Sequence, residues 1–344
     1  MHLLLHMLLG ASLGELSLGK KVGRPAIWMG ALIGAFPELE SLLYWTHGSV
    51  QGMLHQRGPL HSLIAFLVIP PIMAWLAKSI WQNRQPKLRG RDWVRLCYAV
   101  YFCHLLLDLC TIPGIQAFYP FWKYRLSLHV ISSFDPWLSI PLMLGLLMGL
   151  RYPRESRPRT IWVGSGLVLS AFYLILAFSS QQFVHSLFQA SYQKHSLNIQ
   201  RFEVYPTWGN TLLWYGLAEQ AYGYQIGYYS LFEGLKGNIQ HQYLPKQHDL
   251  PFETIDHRLE DRFQEATHRY YNFQVDSQTV LLHDLRYGWE STYSDSNQRN
   301  LTFKQSYRLW EDDDGNLQLA TQAPPHMPLS WRQYGLRILG LSTE

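Results

Sequence analysis

Long apolar runs recur through the first half of the chain, and no other feature constrains the fold as strongly. Up to about residue 182 the runs are separated by short polar breaks, whereas residues 183–344 mix charged, polar and aromatic side chains. Because roughly 20 apolar residues cross a bilayer, this pattern predicts a mainly α, polytopic transmembrane helical bundle. We assign the bundle to residues 1–182 and predict a soluble α+β domain for residues 183–344.

About six spans are expected, one for each apolar segment. The segments are residues 3–19, 25–45, 60–81, 93–110, 131–150 and 160–180. The first segment is short and contains Glu15, so half-insertion is the alternative for the first two.

The basic residues of the connecting loops predict the orientation. Twelve Lys and Arg residues lie in the connections at 20–24, 82–95 and 151–159, against three in those at 46–59 and 111–130. Loops rich in Lys and Arg stay in the cytoplasm, so the second set of loops is expected to face outward. The N-terminus and the domain at 183–344 are then extracytoplasmic as well.

A histidine and an aspartate four residues apart, His104 and Asp108, lie on one face of the fourth span and are suited to hold one metal ion. Ionisable groups at membrane depth are costly, so such a pair needs partners. Under the predicted topology, imidazole and carboxylate side chains from four helices reach the outer end of the bundle. They are His6, Glu38, Glu40, His61, His104 and Asp108. Their shared depth predicts a membrane-embedded metal site.

Simpler explanations exist for parts of this set. His104 and Asp108 alone fit an interhelical hydrogen bond. Glu38 and Glu40 alone fit an interfacial stretch that exposes both acids to water. Pro37 interrupts the helix just before them, and a distorted turn that directs both acids into one cavity is the competing interpretation.

The residues before the third span predict an anion site. Pro59 suits the first position of a helix. The free N–H groups at that helix start, together with the guanidinium group of Arg57, attract phosphate or carboxylate. His61 is then expected to face the same outer cavity, whereas His55 lies in the loop and can face water.

Composition argues against several other classes of protein. The net charge of +4 is too small to predict nucleic-acid binding. The three cysteines, Cys97, Cys103 and Cys110, match no thiolate metal motif and are expected to be packed in the interior. The sequence contains no P-loop, G-x-G-x-x-G or G-x-S-x-G motif.

Alternation and turn residues predict the elements of the second domain. Strands are expected at Asn198–Val204 and Gly223–Leu231, and a helix at Asp256–Tyr271. Leu301–Leu309 and Leu317–Thr321 are predicted to form a hairpin around an acidic, glycine-containing turn.

The ordered motifs over roughly residues 1–180 resemble the bacterial family of membrane-bound metal-dependent hydrolases. That family carries an early His with Gly four residues on, then P-D-x-D, H-R-G-x-T-H-S, H-x-x-x-D, G-x-Q-x-x-x-P-F and N-T-F-D-P. The matching residues here are His6 with Gly10, Pro37 to Glu40, Gln56 to Ser62, His104 to Asp108, Gly114 to Phe121 and Ser132 to Pro136. Both aspartates of the acidic pair are glutamates here, Gln56 replaces the first histidine and Leu60 replaces the threonine.

The resemblance implies metal-assisted hydrolysis in a bacterial inner membrane, with a phosphoester substrate by analogy with zinc phospholipases and nucleases. Nitrogen and carboxylate ligands suit Zn²⁺ or Mn²⁺, as one or two ions. The expected ligands are His6, Glu38, Glu40, His61, His104 and Asp108. One of Glu38 and Glu40 is the alternative general base, and Arg57 is expected to hold the substrate anion. The depth of the site favours a lipid or lipid-linked substrate from the outer leaflet.

Two other functions remain open at this point. A non-catalytic membrane protein could use the same residues for a structural or sensory metal site, with residues 183–344 binding a protein partner that the sequence does not name. A cation transporter could use the same carboxylates, but the inner ends of the predicted spans offer only Glu15 and Asp92. The hydrolase is the preferred interpretation.

Overall fold

The structure is a computed structural model. It describes residues 2–41, 57–81, 88–122, 124–234, 239–248, 263–276, 279–288, 303–311, 317–322 and 331–341. His55, Gln56 and the turn of the predicted hairpin lie outside these residues. The described residues form two compact units, which divide the chain between Leu176 and Ala177. The predicted domain boundary at residue 182 falls within the helix that contains this division.

The first unit is helical. Its helices are α1 (His2–Gly14), α2 (Arg24–Ala35), α3 (Leu63–Trp81), α4 (Gly90–Leu109), α5 (Pro136–Gly149) and α6 (Arg157–Lys194). A π-helical turn, Glu15–Gly19, and one further helical turn, Lys20–Val22, extend α1 toward α2. Two 3₁₀ turns matter for the site, Phe36–Glu38 after α2 and Pro59–His61 before α3.

The predicted number of spans needs correction. Within the described part of the chain, two helices rather than six are long and apolar enough to cross a membrane, Leu63–Trp81 and Arg157–Lys194. Helix α4 is 20 residues long but carries Arg91, Asp92 and Arg95 in its first two turns. Helix α1 has 13 residues and continues to Val22 through turns that carry Glu15, Lys20 and Lys21, whereas α2 and α5, at 12 and 14 residues, are shorter than the roughly 20 that a bilayer requires.

Helices α1 and α2 pack closely because glycines line their contact. A methyl group at Gly10 would lie 2.1 Å from the carbonyl oxygen of Gly30, and one at Gly30 would lie 2.0 Å from the carbonyl oxygen of Gly10. Gly34 has the same relation to the carbonyl oxygen of His6, at 2.3 Å. Small residues therefore bring the two backbones together and place His6 beside the end of α2.

Helix α4 forms much of the core of the first unit. Trp93, Cys97, Val100 and Tyr101 on this helix are fully buried or nearly so, and Cys110 just after it is also buried. Cys97 and Cys110 agree with the expectation that cysteines here serve packing, whereas Cys103 is only partly buried. His104 and Asp108 lie on the same helix and are completely buried.

Two ion pairs join the helix ends at the side of the unit away from His104 and Asp108. The Nε and Nη2 atoms of Arg159 donate to the two carboxylate oxygens of Glu15 at 2.6 and 2.8 Å, and both side chains are buried. Lys21 Nζ lies 3.3 Å from Asp92 Oδ1. A buried carboxylate requires such a partner, and here it fixes the end of α1 against α6.

Asp135 is the N-cap residue of α5. Its side chain accepts a hydrogen bond from the backbone N–H of Trp137, and Pro136 is the first helical residue. The hydroxyl group of Tyr173 on α6 also donates to Asp135, at 2.7 Å. This aspartate is therefore explained by a helix cap and an interhelical hydrogen bond.

The second unit contains two four-stranded antiparallel sheets, each in sequential order. The first comprises β1 (Arg201–Pro206), β2 (Leu213–Glu219), β3 (Gly223–Ser230) and β4 (Gln242–Pro245). The second comprises β5 (Tyr271–Asp276), β6 (Thr279–Asp284), β7 (Ser306–Glu311) and β8 (Leu317–Gln322). A short helix, α7 (Trp331–Ile338), follows. An α+β composition is thus what the structure has in this part of the chain.

Most elements predicted for the second unit agree with these strands. The two strands expected near residues 198 and 223 correspond to β1 and β3, and the predicted hairpin corresponds to the antiparallel pair β7 and β8. The predicted helix at Asp256–Tyr271 is only partly described: residues 263–266 are helical, but Tyr271 begins β5. Tyr271 belongs to a strand because it pairs with Asp284 of β6.

The glycine contact between α1 and α2 yields a stability prediction. G30A should lower the free energy of unfolding by about 1–3 kcal/mol, because the added methyl group meets the Gly10 carbonyl oxygen and the core must shift. Thermal unfolding of the detergent-solubilised protein measures the change. G164A is the matched control, since a methyl group at Gly164 of α6 meets no atom within 4 Å and alanine favours a helix. Equal melting temperatures for G30A and G164A would contradict the prediction.

Candidate metal centre

The candidate ligands come from separate elements of the first unit. His6 lies on α1, Glu38 ends the 3₁₀ turn after α2, and Glu40 follows two residues later. His61 ends the 3₁₀ turn before α3, and His104 with Asp108 lies near the end of α4. The structure brings all six of the side chains that the sequence singled out to one place.

Asp108 is at the centre of this cluster. Its Oδ1 atom lies 3.1 Å from His6 Nε2 and 3.1 Å from Arg57 Nη2. Its Oδ2 atom lies 3.1 Å from His61 Nε2 and 3.2 Å from His104 Nε2. The carboxylate is completely buried, so it depends on these neighbours in place of water.

Hydrogen bonds to the far sides of two imidazoles define where their protons lie. His104 Nδ1 is 2.8 Å from the carbonyl oxygen of Gly34, which can only accept, so Nδ1 carries the proton. His61 Nδ1 is 3.0 Å from Glu40 Oε2 and donates to that carboxylate. In the neutral ring the Nε2 atom then presents a lone pair. Both Nε2 lone pairs are next to Asp108 Oδ2.

These three atoms form a nearly equilateral triangle. The two Nε2 atoms are 3.3 Å apart, and the distances from Asp108 Oδ2 to them are 3.1 and 3.2 Å. An ion bonded at about 2.0–2.1 Å to tetrahedrally arranged ligands holds neighbouring ligand atoms about 3.3 Å apart. The donor set and its spacing therefore fit one face of a metal coordination shell.

A second group overlaps with this triangle and adds His6 and Glu38. One ligand atom each from His6, Glu38, His104 and Asp108 lies within 4.8 Å of the others. The ring of His6 stacks on that of His104 with centroids 3.7 Å apart, and His6 Nε2 is 3.7 Å from Glu38 Oε1. Glu38 is the most exposed of the four, with 13% of its side chain accessible.

Glu40 occupies a position behind His61. Its Oε1 atom accepts from the backbone N–H of Gly58 at 2.7 Å, and its Oε2 atom accepts from the N–H of Leu60 at 3.0 Å as well as from His61. These bonds fill the acceptor positions of a buried carboxylate. A carboxylate that orients a histidine ring and fixes its tautomer is a usual partner of a metal-bound histidine.

Arg57 was expected to hold a substrate anion, but its side chain is not exposed to bind one. The side chain is buried. Its Nη1 atom donates to Thr111 Oγ1 at 2.6 Å, and its Nη2 atom lies 3.1 Å from Asp108 Oδ1. The backbone of Arg57 has φ = 59°. Its guanidinium group therefore offsets the charge of Asp108 inside the cluster.

Sequence reasoning did not single out two groups that hold this arrangement. Thr111 joins Arg57 to the end of α4, and its hydroxyl group also donates to the carbonyl oxygen of Asp108 at 2.7 Å. Gly34 supplies the carbonyl oxygen for His104. Thr111 could have been predicted to lie near Asp108, because it follows Asp108 by three residues. The carbonyl oxygen of Gly34 could not, because every residue has one.

Comparison with family models adds one decisive finding. The model of the YdjM inner membrane protein family matches residues 1–184, more than half of the chain. The chain belongs to this family. No curated protein and no solved structure matches it.

Family membership agrees with the predicted location in an inner membrane. The match includes every residue of the candidate metal centre and ends within α6. The two sheets of the second unit lie beyond it, so the family assignment applies to the helical part of the chain.

The contacts of Glu40 yield a second prediction. E40A should lower the free energy of unfolding by about 3 kcal/mol, because two buried N–H groups and the His61 ring lose their acceptor. E40Q should recover part of the loss, since it keeps one acceptor oxygen. The control is E155A, whose side chain is 76% exposed. Chemical denaturation in detergent gives the values, and an E40A protein as stable as E155A would refute the assigned role.

Proposed function

We propose that this protein is a membrane-embedded metal-dependent hydrolase whose ion is held by His61, His104 and Asp108. The observation that carries the proposal is the triangle of two imidazole Nε2 atoms and one carboxylate oxygen, with sides of 3.1 to 3.3 Å. The far nitrogens of both rings are engaged as donors, so the near nitrogens present lone pairs. Three acceptor atoms within 3.3 Å of one another call for a cation.

The charge of the cluster supports a divalent ion. Glu38, Glu40 and Asp108 contribute three negative charges when ionised, Arg57 contributes one positive charge, and the net value is −2 with neutral imidazoles. Buried charge of that size requires compensation. Nitrogen and carboxylate ligands suit Zn²⁺ or Mn²⁺.

Glu38, with 13% of its side chain accessible, lies on the open side of the proposed ion site, and water and substrate would approach there. Buried His6 lies beside it, 3.1 Å from Asp108 Oδ1. Catalytic metal sites retain such an open position. His6 would complete the coordination shell of the ion, which leaves Glu38 for another role.

A bound Zn²⁺ or Mn²⁺ ion would supply Lewis-acid polarisation and lower the pKa of a coordinated water molecule. Glu38 would accept the proton of the attacking water as general base, because it is the acidic group nearest to solvent. Glu40 would orient His61, and Arg57 would position Asp108 by charge and by its bond to Thr111. We therefore assign Arg57 a positioning role in place of direct substrate binding.

The proposed location is a bacterial inner membrane, with more than one crossing and with residues 183–344 on the extracytoplasmic side. The family match supports the membrane, and the excess of Lys and Arg in the connections at 20–24, 82–95 and 151–159 supports the orientation. The pairs Glu15–Arg159 and Lys21–Asp92 join Lys21, Asp92 and Arg159, one residue from each basic connection, at one end of the helical unit, which supports this orientation. The metal centre is at the other end.

Metal analysis of the detergent-purified protein tests the ion site. We expect about one equivalent of Zn or Mn by plasma mass spectrometry, and a loss of at least tenfold in metal affinity for D108N. The exposed variant E155Q should retain the metal of the wild type. Absence of bound metal together with a melting temperature that a chelator does not change would overturn the proposal.

Hydrolysis of bis(p-nitrophenyl) phosphate tests the catalytic part. E38Q should retain the metal but lose at least a hundredfold in kcat, because the general base is missing. A metal-loaded wild type that hydrolyses no phosphodiester or carboxylic ester would leave a structural or sensory metal site as the answer. In that case the H104A variant should unfold, whereas a purely catalytic site would leave it folded and inactive.

A further inference from the structure

A cavity of about 350 Å³ lies in the first unit among α1, α4, α5 and α6. Its inner wall is formed by buried leucines, Leu9, Leu107, Leu138 and Leu142. Its outer rim includes Val168, which is 67% exposed. The cavity is therefore an apolar groove that opens sideways on the surface of the helical unit.

The groove shares two helices with the metal centre. Cys103 and Leu107 of its wall directly precede His104 and Asp108 on α4. Leu9 follows His6 by three residues on α1, and Leu13 lies one further turn along. With a rise of about 1.5 Å per residue, the groove begins at the level of the ligands and continues about 10 Å along α1 away from them.

The lining determines what can occupy this groove. An apolar cavity does not hold water stably, and it offers no ionic partner to a polar ligand. Its volume is roughly twelve times the 30 Å³ that a water molecule takes up in the liquid, which is room for about a dozen methylene groups of similar size. Because the family is one of inner membrane proteins, the medium beside Val168 and the neighbouring apolar residues is lipid hydrocarbon.

We propose that the groove binds one acyl chain of a membrane phospholipid and so presents the lipid's phosphoester to the metal centre. This inference rests on the proposed hydrolase and names its substrate class. The chain lies along α1 and α4, and the phosphate reaches the open side at His6 and Glu38.

The reaction is a hydrolysis that needs no further reactant. The oxygen of water forms a bond to phosphorus, and one P–O ester bond breaks. One water proton passes to Glu38, which then gives it to the leaving alkoxide oxygen, so that a free alcohol and a phosphate monoester are formed. The acyl chain serves to position the phosphoester at the metal centre. It adds little hydrophobic binding free energy, because hydrocarbon in the groove and hydrocarbon in the bilayer are equivalent in polarity.

Photolabelling tests the binding step without any catalysis. The probe is a phosphatidylglycerol with a diazirine in its acyl chain, presented in vesicles that contain the full-length protein. Adducts on buried Leu107 are expected relative to those on Phe102 of the same helix, which is 55% exposed, does not line the groove and reports general lipid contact. A171W fills the rim of the groove and should lower the Leu107 to Phe102 ratio at least fivefold.

L169W is the matched control, because Leu169 is on the same helix, is 55% exposed and does not line the groove. It should label as the wild type does. V168W is a second blocking variant in case A171W does not insert correctly. An unchanged Leu107 to Phe102 ratio in folded A171W and V168W would overturn the acyl-chain site.

A substrate series separates this inference from the proposed function. Ethyl and dodecyl p-nitrophenyl phosphate diesters release the same chromophore, and detergent concentrates the dodecyl ester equally for every variant. The dodecyl-to-ethyl ratio of kcat/KM should fall at least tenfold in A171W and stay unchanged in L169W. Hydrolysis with an equal ratio in both would reject the groove but keep the hydrolase. Labelling as expected without hydrolysis of either ester would keep the groove but reject the hydrolase.

Discussion

The buried carboxylate of Asp108 organises the helical unit. One of its oxygens contacts Arg57 and His6, and the other contacts His61 and His104. A completely buried charge is tolerated only when surrounding groups replace its hydration. Two further segments, α1 with His6 and the turn with Arg57 and His61, must therefore reach this residue of α4, and Arg57 does so from a backbone with φ = 59°.

The geometry of the cluster depends on close backbone contacts as much as on its ionisable groups. Gly10 and Gly30 allow α1 and α2 to approach, and Gly34 then lies beside His6 while its carbonyl oxygen binds His104. The leucine-lined groove begins at the same level of α1 and α4 as the cluster. Glycine packing thus positions the proposed metal ligands.

The sequence predicted the members of the site but not all of their positions. His6, His61, His104 and Asp108 were grouped because each fell near the same end of an apolar segment, and the structure does bring them together. The spacing of Glu38 and Glu40 indicated that both would face one cavity, yet only tertiary contacts distinguish an acid near His6 from one behind His61. Arg57 was expected to face a substrate, and its burial against Thr111 depends on a loop that no local pattern describes. The sequence predicts too many spans, because an apolar segment does not show where its helix ends or which charges the helix carries.

The sequence by itself determined that the first part of the chain is apolar and helical, that the second part is α+β, and which side chains have metal-binding chemistry. These properties are local, since they follow from periodicity, hydropathy and the identity of each residue. The tertiary structure alone decided the distances among His61, His104 and Asp108, the tautomers of the two imidazoles, and the groove beside them. Those depend on how separate helices pack, and packing is set by contacts between residues more than 40 positions apart.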